Sequence, residues 1–93
     1  MKTLLSQLNQ MVGIYAGEGI NHEGKPFTGR LELQPLLGGR GFQLKFSATG
    51  KDGRVYHREE SMIAPSIQEQ LTLWNFNTNT PGLVPHELRK TDP

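Results

Sequence analysis

The sequence predicts an all-β domain with a short N-terminal helix, built as a strongly curved antiparallel meander of about six strands. Three observations carry that expectation. Apolar residues fall at helical spacing only before residue 13, and at every second position afterwards. The alternating segments are separated by "NHEGKP", "PLLGGRG", "TGKDGR", "APSIQEQ" and "NTNTPG", rich in the residues that tight turns require. No gap between them reaches the dozen or more residues of a parallel crossover, so neighbouring strands run antiparallel.

The domain spans 1–93, with the helix over 3–12 and the meander over 13–90. Thr3 is placed to cap a helix whose Leu4, Leu5, Leu8, Met11 and Val12 form one apolar face, opposite Ser6, Gln7, Asn9 and Gln10. Gly13 is expected to stop it. In "GIYAGEG", residues 13–19, glycines surround a single tyrosine. Glycine relieves crowding where an inward face bends, so the first strand is expected to coil sharply while Tyr15 fills the space left by Gly13, Gly17 and Gly19. Bulges in a solvent-facing strand would bend it too.

The second and third strands alternate most cleanly. In "FTGRLELQP", Phe27, Gly29, Leu31 and Leu33 interleave with Thr28, Arg30, Glu32 and Gln34. In "GFQLKFSATG", Phe42, Leu44, Phe46 and Ala48 interleave with Gln43, Lys45, Ser47 and Thr49. Residues 35–41 make a glycine-rich connection between them, and "GKDG" is a hairpin turn into "RVYHREESMIAP". The fifth strand is "QLTLWNFNT", and the sixth is "GLVPHELRK", where Pro85 argues for an edge or a bulge.

Composition excludes several classes of function. Ten basic and nine acidic residues leave a net charge of +1, so no field draws the chain to nucleic acid or to anionic lipid. The basic residues are scattered and do not alternate with aromatics as a single-strand binding surface requires. Without cysteine there is no disulfide framework and no thiolate cluster, which fits a cytoplasmic protein. The opening "MKTLLSQLNQMV" is too polar for a secretory signal, and no segment is long enough to span a bilayer. "LLGGRG" lies between strands and lacks the Lys-Ser/Thr ending of a phosphate loop. No nucleophile elbow, Ser-His-Asp order or dinucleotide fingerprint occurs, so neither catalytic residues nor a cofactor is expected.

Chemistry concentrates in the fourth strand. Alternation puts Val55, His57, Glu59, Ser61 and Ile63 on one face and Tyr56, Arg58, Glu60 and Met62 on the other, so both faces are mixed. If Val55 and Ile63 point inward, His57, Glu59 and Ser61 form a polar patch on an apolar wall; otherwise the strand is an edge whose charges are simply wet or paired. The spacing of His22, His57 and His86 matches no metal motif. His22 lies in a turn, and His86 shares a face with Val84 and Leu88. Trp74 shares a face with Thr72 and Phe76, opposite Leu71 and Leu73, and reads as core or interface before it reads as a ligand-stacking group.

The leading helix, Gly13-x-Tyr15-x-Gly17-x-Gly19 on the first strand and the "LLGGRGF" turn together resemble the opening of the calycin superfamily. Its lipocalin, fatty-acid-binding and nitrobindin-like barrels begin with Gly-x-Trp, and some lipocalin-like bacterial proteins carry a similar Leu-Leu-Gly-Gly-Arg turn; here Tyr15 stands in place of the tryptophan. The resemblance implies a barrel of eight or ten strands, more than this chain supplies, hence a half-barrel or a barrel completed by dimerisation. Only Thr91, Asp92 and Pro93 follow Lys90, so the open edge of the last strand is expected to be covered by a second copy, by the chain's own twist and helix, or by the rest of a longer protein.

Two expectations follow. One is a calycin-like module with a small apolar ligand against Tyr15, Phe27, Phe42, Phe46 and Trp74, its polar end fixed by His57 and Glu59, in a void of a few hundred cubic ångströms. The other is an interaction protein whose apolar sheet face is consumed by homodimerisation.

Overall fold

The computed structural model describes residues 3–88. In chain order these form α1 (Leu4–Gln10), β1 (Gly13–Ile20), β2 (Pro26–Leu36), a 3-10 turn (Leu37–Gly39), β3 (Gly41–Gly50), β4 (Val55–Pro65), β5 (Leu71–Asn77) and β6 (Thr80–Glu87). The strands make one antiparallel sheet in sequence order, as expected. β1 and β6 lie at its opposite edges, so the described sheet is not closed into a barrel. The last two residues expected in the sixth strand, 89 and 90, lie outside the described residues. No described helix is long and apolar enough to cross a membrane.

Thr3 caps α1: its Oγ1 accepts from the Ser6 N–H at 3.1 Å, while the Ser6 hydroxyl returns a bond to the Thr3 carbonyl at 2.9 Å. The helix ends earlier than its apolar spacing suggests. The Met11 N–H closes on the Leu8 carbonyl at 2.9 Å, and Gly13 already opens β1 instead of stopping the helix. Met11 and Val12 are therefore exposed, and the packing stripe shrinks to Leu5 and Leu8, which sit on the buried cluster of Leu33, Phe42 and Ile63. A helix of seven residues is too short to persist on its own, so this contact is what keeps it folded.

Side chains of the turn residues set the hairpins. Asn21 Oδ1 accepts from the N–H groups of Glu23 and Lys25 at 3.0 and 2.8 Å, closing the β1–β2 turn. Asp52 Oδ1 accepts from Arg54 N–H at 3.0 Å, and Gly50 N–H bonds the Arg54 carbonyl at 2.7 Å across the β3–β4 turn. Asn77 Oδ1 receives the N–H groups of Asn79 and Thr80, each at 2.9 Å, between β5 and β6.

The register sorts side chains onto two faces. Tyr15, Leu31, Phe46, Glu59 and Asn77 stand in one row across the strands; Leu33, Leu44, Ser61, Asn75 and Val84 make the next, and Pro35, Phe42, Ile63, Leu73 and His86 the one after. This inner face carries α1. The outer face carries Ile14, Glu32, Lys45, Glu60 and Phe76 in one row and Gln34, Gln43, Met62, Trp74 and Pro85 in another. One irregularity revises the fourth strand: Ala48 opposes His57 but Thr49 opposes Val55, so Tyr56 is an extra residue. The bulge takes Val55 off the face of His57, Glu59, Ser61 and Ile63, where strict alternation had put it, and leaves it exposed.

Candidate functional site

The inner face changes character along the strands. At the α1 end it is dry, with Phe42 only 1% exposed at its centre. Toward the far end β1 and β2 withhold side chains. The row Gly17, Gly29, Ala48 and His57 holds two glycines and an alanine, and a Cβ added at Gly17 would meet nothing within 4 Å. The result is a trough of about 390 Å³ lined by Tyr15, Phe27, Leu31 and Phe46 and floored by backbone at Gly17, Gly19 and Gly29. Aromatic rings lie directly over two of these glycines: Cβ atoms there would stand 2.6 Å from the Phe27 ring at Gly19 and 3.3 Å from the Phe46 ring at Gly29. The Tyr15 hydroxyl donates to the Met11 carbonyl at 2.5 Å and ties the trough wall to the helix terminus.

Beside the trough runs a polar row on β4 and β5. His57 Nε2 lies 2.6 Å from Glu59 Oε1. Asn75 Nδ2 donates to Ser61 Oγ at 2.8 Å and to Glu59 Oε2 at 3.4 Å, and Asn77 Nδ2 donates to Asn75 Oδ1 at 3.0 Å. A carboxylate only accepts, so the proton of the short contact belongs to Nε2. His57 Nδ1 is buried and finds no hydrogen-bond partner among the described residues. The Phe46 ring, tilted and 6.3 Å away between centroids, joins the imidazole to the apolar trough.

This arrangement can hold and orient a polar group. The Ser61 hydroxyl is engaged by Asn75 and does not reach the orphan His57 nitrogen, so these residues do not form a nucleophile and base pair. Among the described residues no group of three or more His, Asp or Glu side chains converges to hold a metal.

Of the residues singled out in the sequence, Tyr15, Phe27 and Phe46 come together in the trough; His57 and Glu59 do not line it, His57 standing 6.3 Å from the Phe46 ring between centroids and Glu59 pairing opposite Phe46 across the sheet. Phe42 does not join them, because it is sealed in the core beneath α1. Trp74 does not either: the register sets it on the outer face between Met62 and Pro85, 40% exposed. The alternation of "LTLWNFN" already separated Trp74 from Leu71 and Leu73, and the same alternation puts Asn75 and Asn77 on the inner face with those leucines. Those asparagines were the missed members of the polar row.

A second groove of about 390 Å³ is lined by Arg30, Glu32, Lys45, Arg58, Glu60 and Phe76 of the outer face and is bordered as well by Phe46, Glu59 and Asn77. Arg30 and Arg58 flank Ser47 in one row, and Lys45 sits between Glu32 and Glu60 in the next. Charges of both signs alternating across a solvated face are the ordinary wet side of a sheet, and this groove carries no directed chemistry. Comparisons with protein-family models, curated proteins and solved structures find no match to this chain.

Proposed function

We propose that the chain is a calycin-like, cytoplasmic binding module that holds a small, largely apolar molecule in the inner-face trough. The observation behind this reading is the wall of Tyr15, Phe27, Leu31 and Phe46 over the glycine backbone of β1 and β2, with the Phe46 ring standing between that trough and the His57–Glu59 pair. Aromatic and leucine walls reward apolar surface at about 25 cal/mol per Å² removed from water. Among the described residues Glu59 Oε2 takes one long bond, from Asn75, and the Glu59 side chain is 35% exposed, so it retains capacity to accept from a ligand. An acceptor-only group selects a hydroxyl, amine or amide N–H at the ligand's polar end.

Titration with 1-decanol, decylamine and decanoate, followed by amide NMR, tests this. The alcohol and the amine should shift Gly17, Gly29 and Phe46, and decanoate should bind at least about tenfold more weakly because its head repels Glu59. Gly17→Val fills the trough at a position with open space and should abolish the shifts while the fold stays intact. Unaltered binding by Gly17→Val, or shifts centred on the outer face, would overturn the reading.

Self-association is the second reading, favoured by the exposed apolar side chains Ile14, Tyr15 and Ile20 along the free edge strand. The two are compatible, since a ligand uses the inner face of β1 and a partner strand uses its backbone edge.

A further inference from the structure

We propose that β1 is the surface through which two copies of this chain pair, edge to edge and antiparallel about a two-fold axis at Gly17, to make one continuous sheet. The inference rests on the self-association reading and fixes its site and register. The two edges of the sheet differ in kind. β6 contains Pro81 and Pro85, a left-handed Gly82 at φ 85° and a register break against β5 between Asn75 and Asn77. Each of these blocks the addition of a strand. β1 has no proline and no basic residue, and Glu18 is its one charge.

The direction of its free hydrogen-bonding groups follows from the adjoining turn. Asn21 N–H donates to the Lys25 carbonyl at 2.9 Å, and this pair continues the register beyond Ile20 and Pro26. Bonded and non-bonded pairs alternate along an antiparallel ladder. The odd-numbered residues of β1 therefore bond to β2, and Ile14, Ala16, Glu18 and Ile20 turn their N–H and C=O groups to the open edge.

Two identical strands that pair antiparallel with faces matched have two central registers, with either Ala16 or Gly17 on the axis. With Ala16 there, Ile14 faces Glu18 and Ile20 falls beyond the partner's strand. With Gly17 there, Ile14 faces Ile20, Ala16 faces Glu18, and every outward N–H and C=O finds a partner. Ile14 and Ile20, 60% and 73% exposed in the single chain, then cover each other. On the inner face Tyr15 comes opposite Gly19 of the second copy, where the Phe27 ring already lies over the glycine. Tyr15 therefore meets the partner's Phe27 ring, and cross-strand aromatic pairs stabilise a sheet. The two inner-face troughs abut across the axis.

The chain has no cysteine, so single introduced cysteines report the register. Gly17→Cys enters open space, and Cα atoms directly opposed in a non-bonded pair are about 4.5 Å apart, within disulfide range. The expected result is a 93-residue chain that sediments as a dimer. Gly17→Cys should form the intermolecular disulfide at least about tenfold faster than Ala16→Cys or Lys51→Cys, the last a control in the exposed β3–β4 turn. Ile14→Lys should give a folded monomer by sedimentation and circular dichroism. A monomeric wild-type chain overturns the proposal together with the self-association reading. A dimer whose fastest disulfide is at Ala16→Cys, or in which all three cysteines react alike, overturns this edge and register and leaves self-association standing.

Discussion

Asn75 shows how much one inner-face side chain holds together. It is buried, donates to Ser61 and Glu59 and accepts from Asn77, so three other polar groups depend on it. Asn75→Leu keeps the volume and strands those groups, each unsatisfied one costing about 1–3 kcal/mol. Ser61→Ala removes one acceptor and leaves Asn75 its bond to Glu59, so its cost should be near 1 kcal/mol. Urea denaturation of both variants checks the order, and equal losses would show that Asn75 does not organise the row. At this scale the sequence exposed His57, Glu59 and Ser61, because they interrupt an apolar alternation. It did not expose their dependence on Asn75, whose partners lie 14 and 16 positions away and meet it only through the β4–β5 register.

Elements are held by short-range chemistry at their ends and by one contact surface each. α1 illustrates both, with its Thr3–Ser6 cap and its Leu5 and Leu8 docking. Thr3→Ala should lower stability by about 1 kcal/mol, measured as a fall in the denaturation midpoint with unchanged slope. A fall in the slope as well would mean that the helix had come off the sheet. The cap was legible because it is local, a hydroxyl and an N–H three residues apart. The end of the helix was not: apolar spacing ran on through Met11 and Val12, but the chain turns to start β1 and those residues follow the strand. The bulge at Tyr56 escaped for the same kind of reason. Strict alternation gives no sign of an extra residue, whereas pairing on β3 fixes Ala48 against His57 and Thr49 against Val55.

For the whole molecule the governing fact is that the six-stranded sheet of the described residues has two edges, β1 and β6, of unequal character. Pro81 and Pro85 guard β6, and replacing both by valine restores the missing donors and the β-branched packing of an extendable strand. The double variant should aggregate at concentrations where the parent stays clear, seen as light scattering on incubation, with little change in its secondary structure. Equal clarity would show that the prolines do not protect that edge. Strand count and order were legible from turn chemistry and connection length. Which edge stays open to a partner was not, because it depends on where each strand lies in the sheet.

By itself the sequence determined the antiparallel meander, its hairpins, the helix cap and the two-faced strands β2 and β3, since each rests on residues within a few positions of one another. Tertiary structure alone decided that Phe42 is sealed beneath α1, that Trp74 looks outward, and that Gly17 and Gly29 align with His57 across neighbouring strands. The docking of α1 sets the first and pairing register the other two: a shift of one residue exchanges every inward side chain for an outward one, and register is settled between neighbouring strands and their turns, not within the residues of one strand.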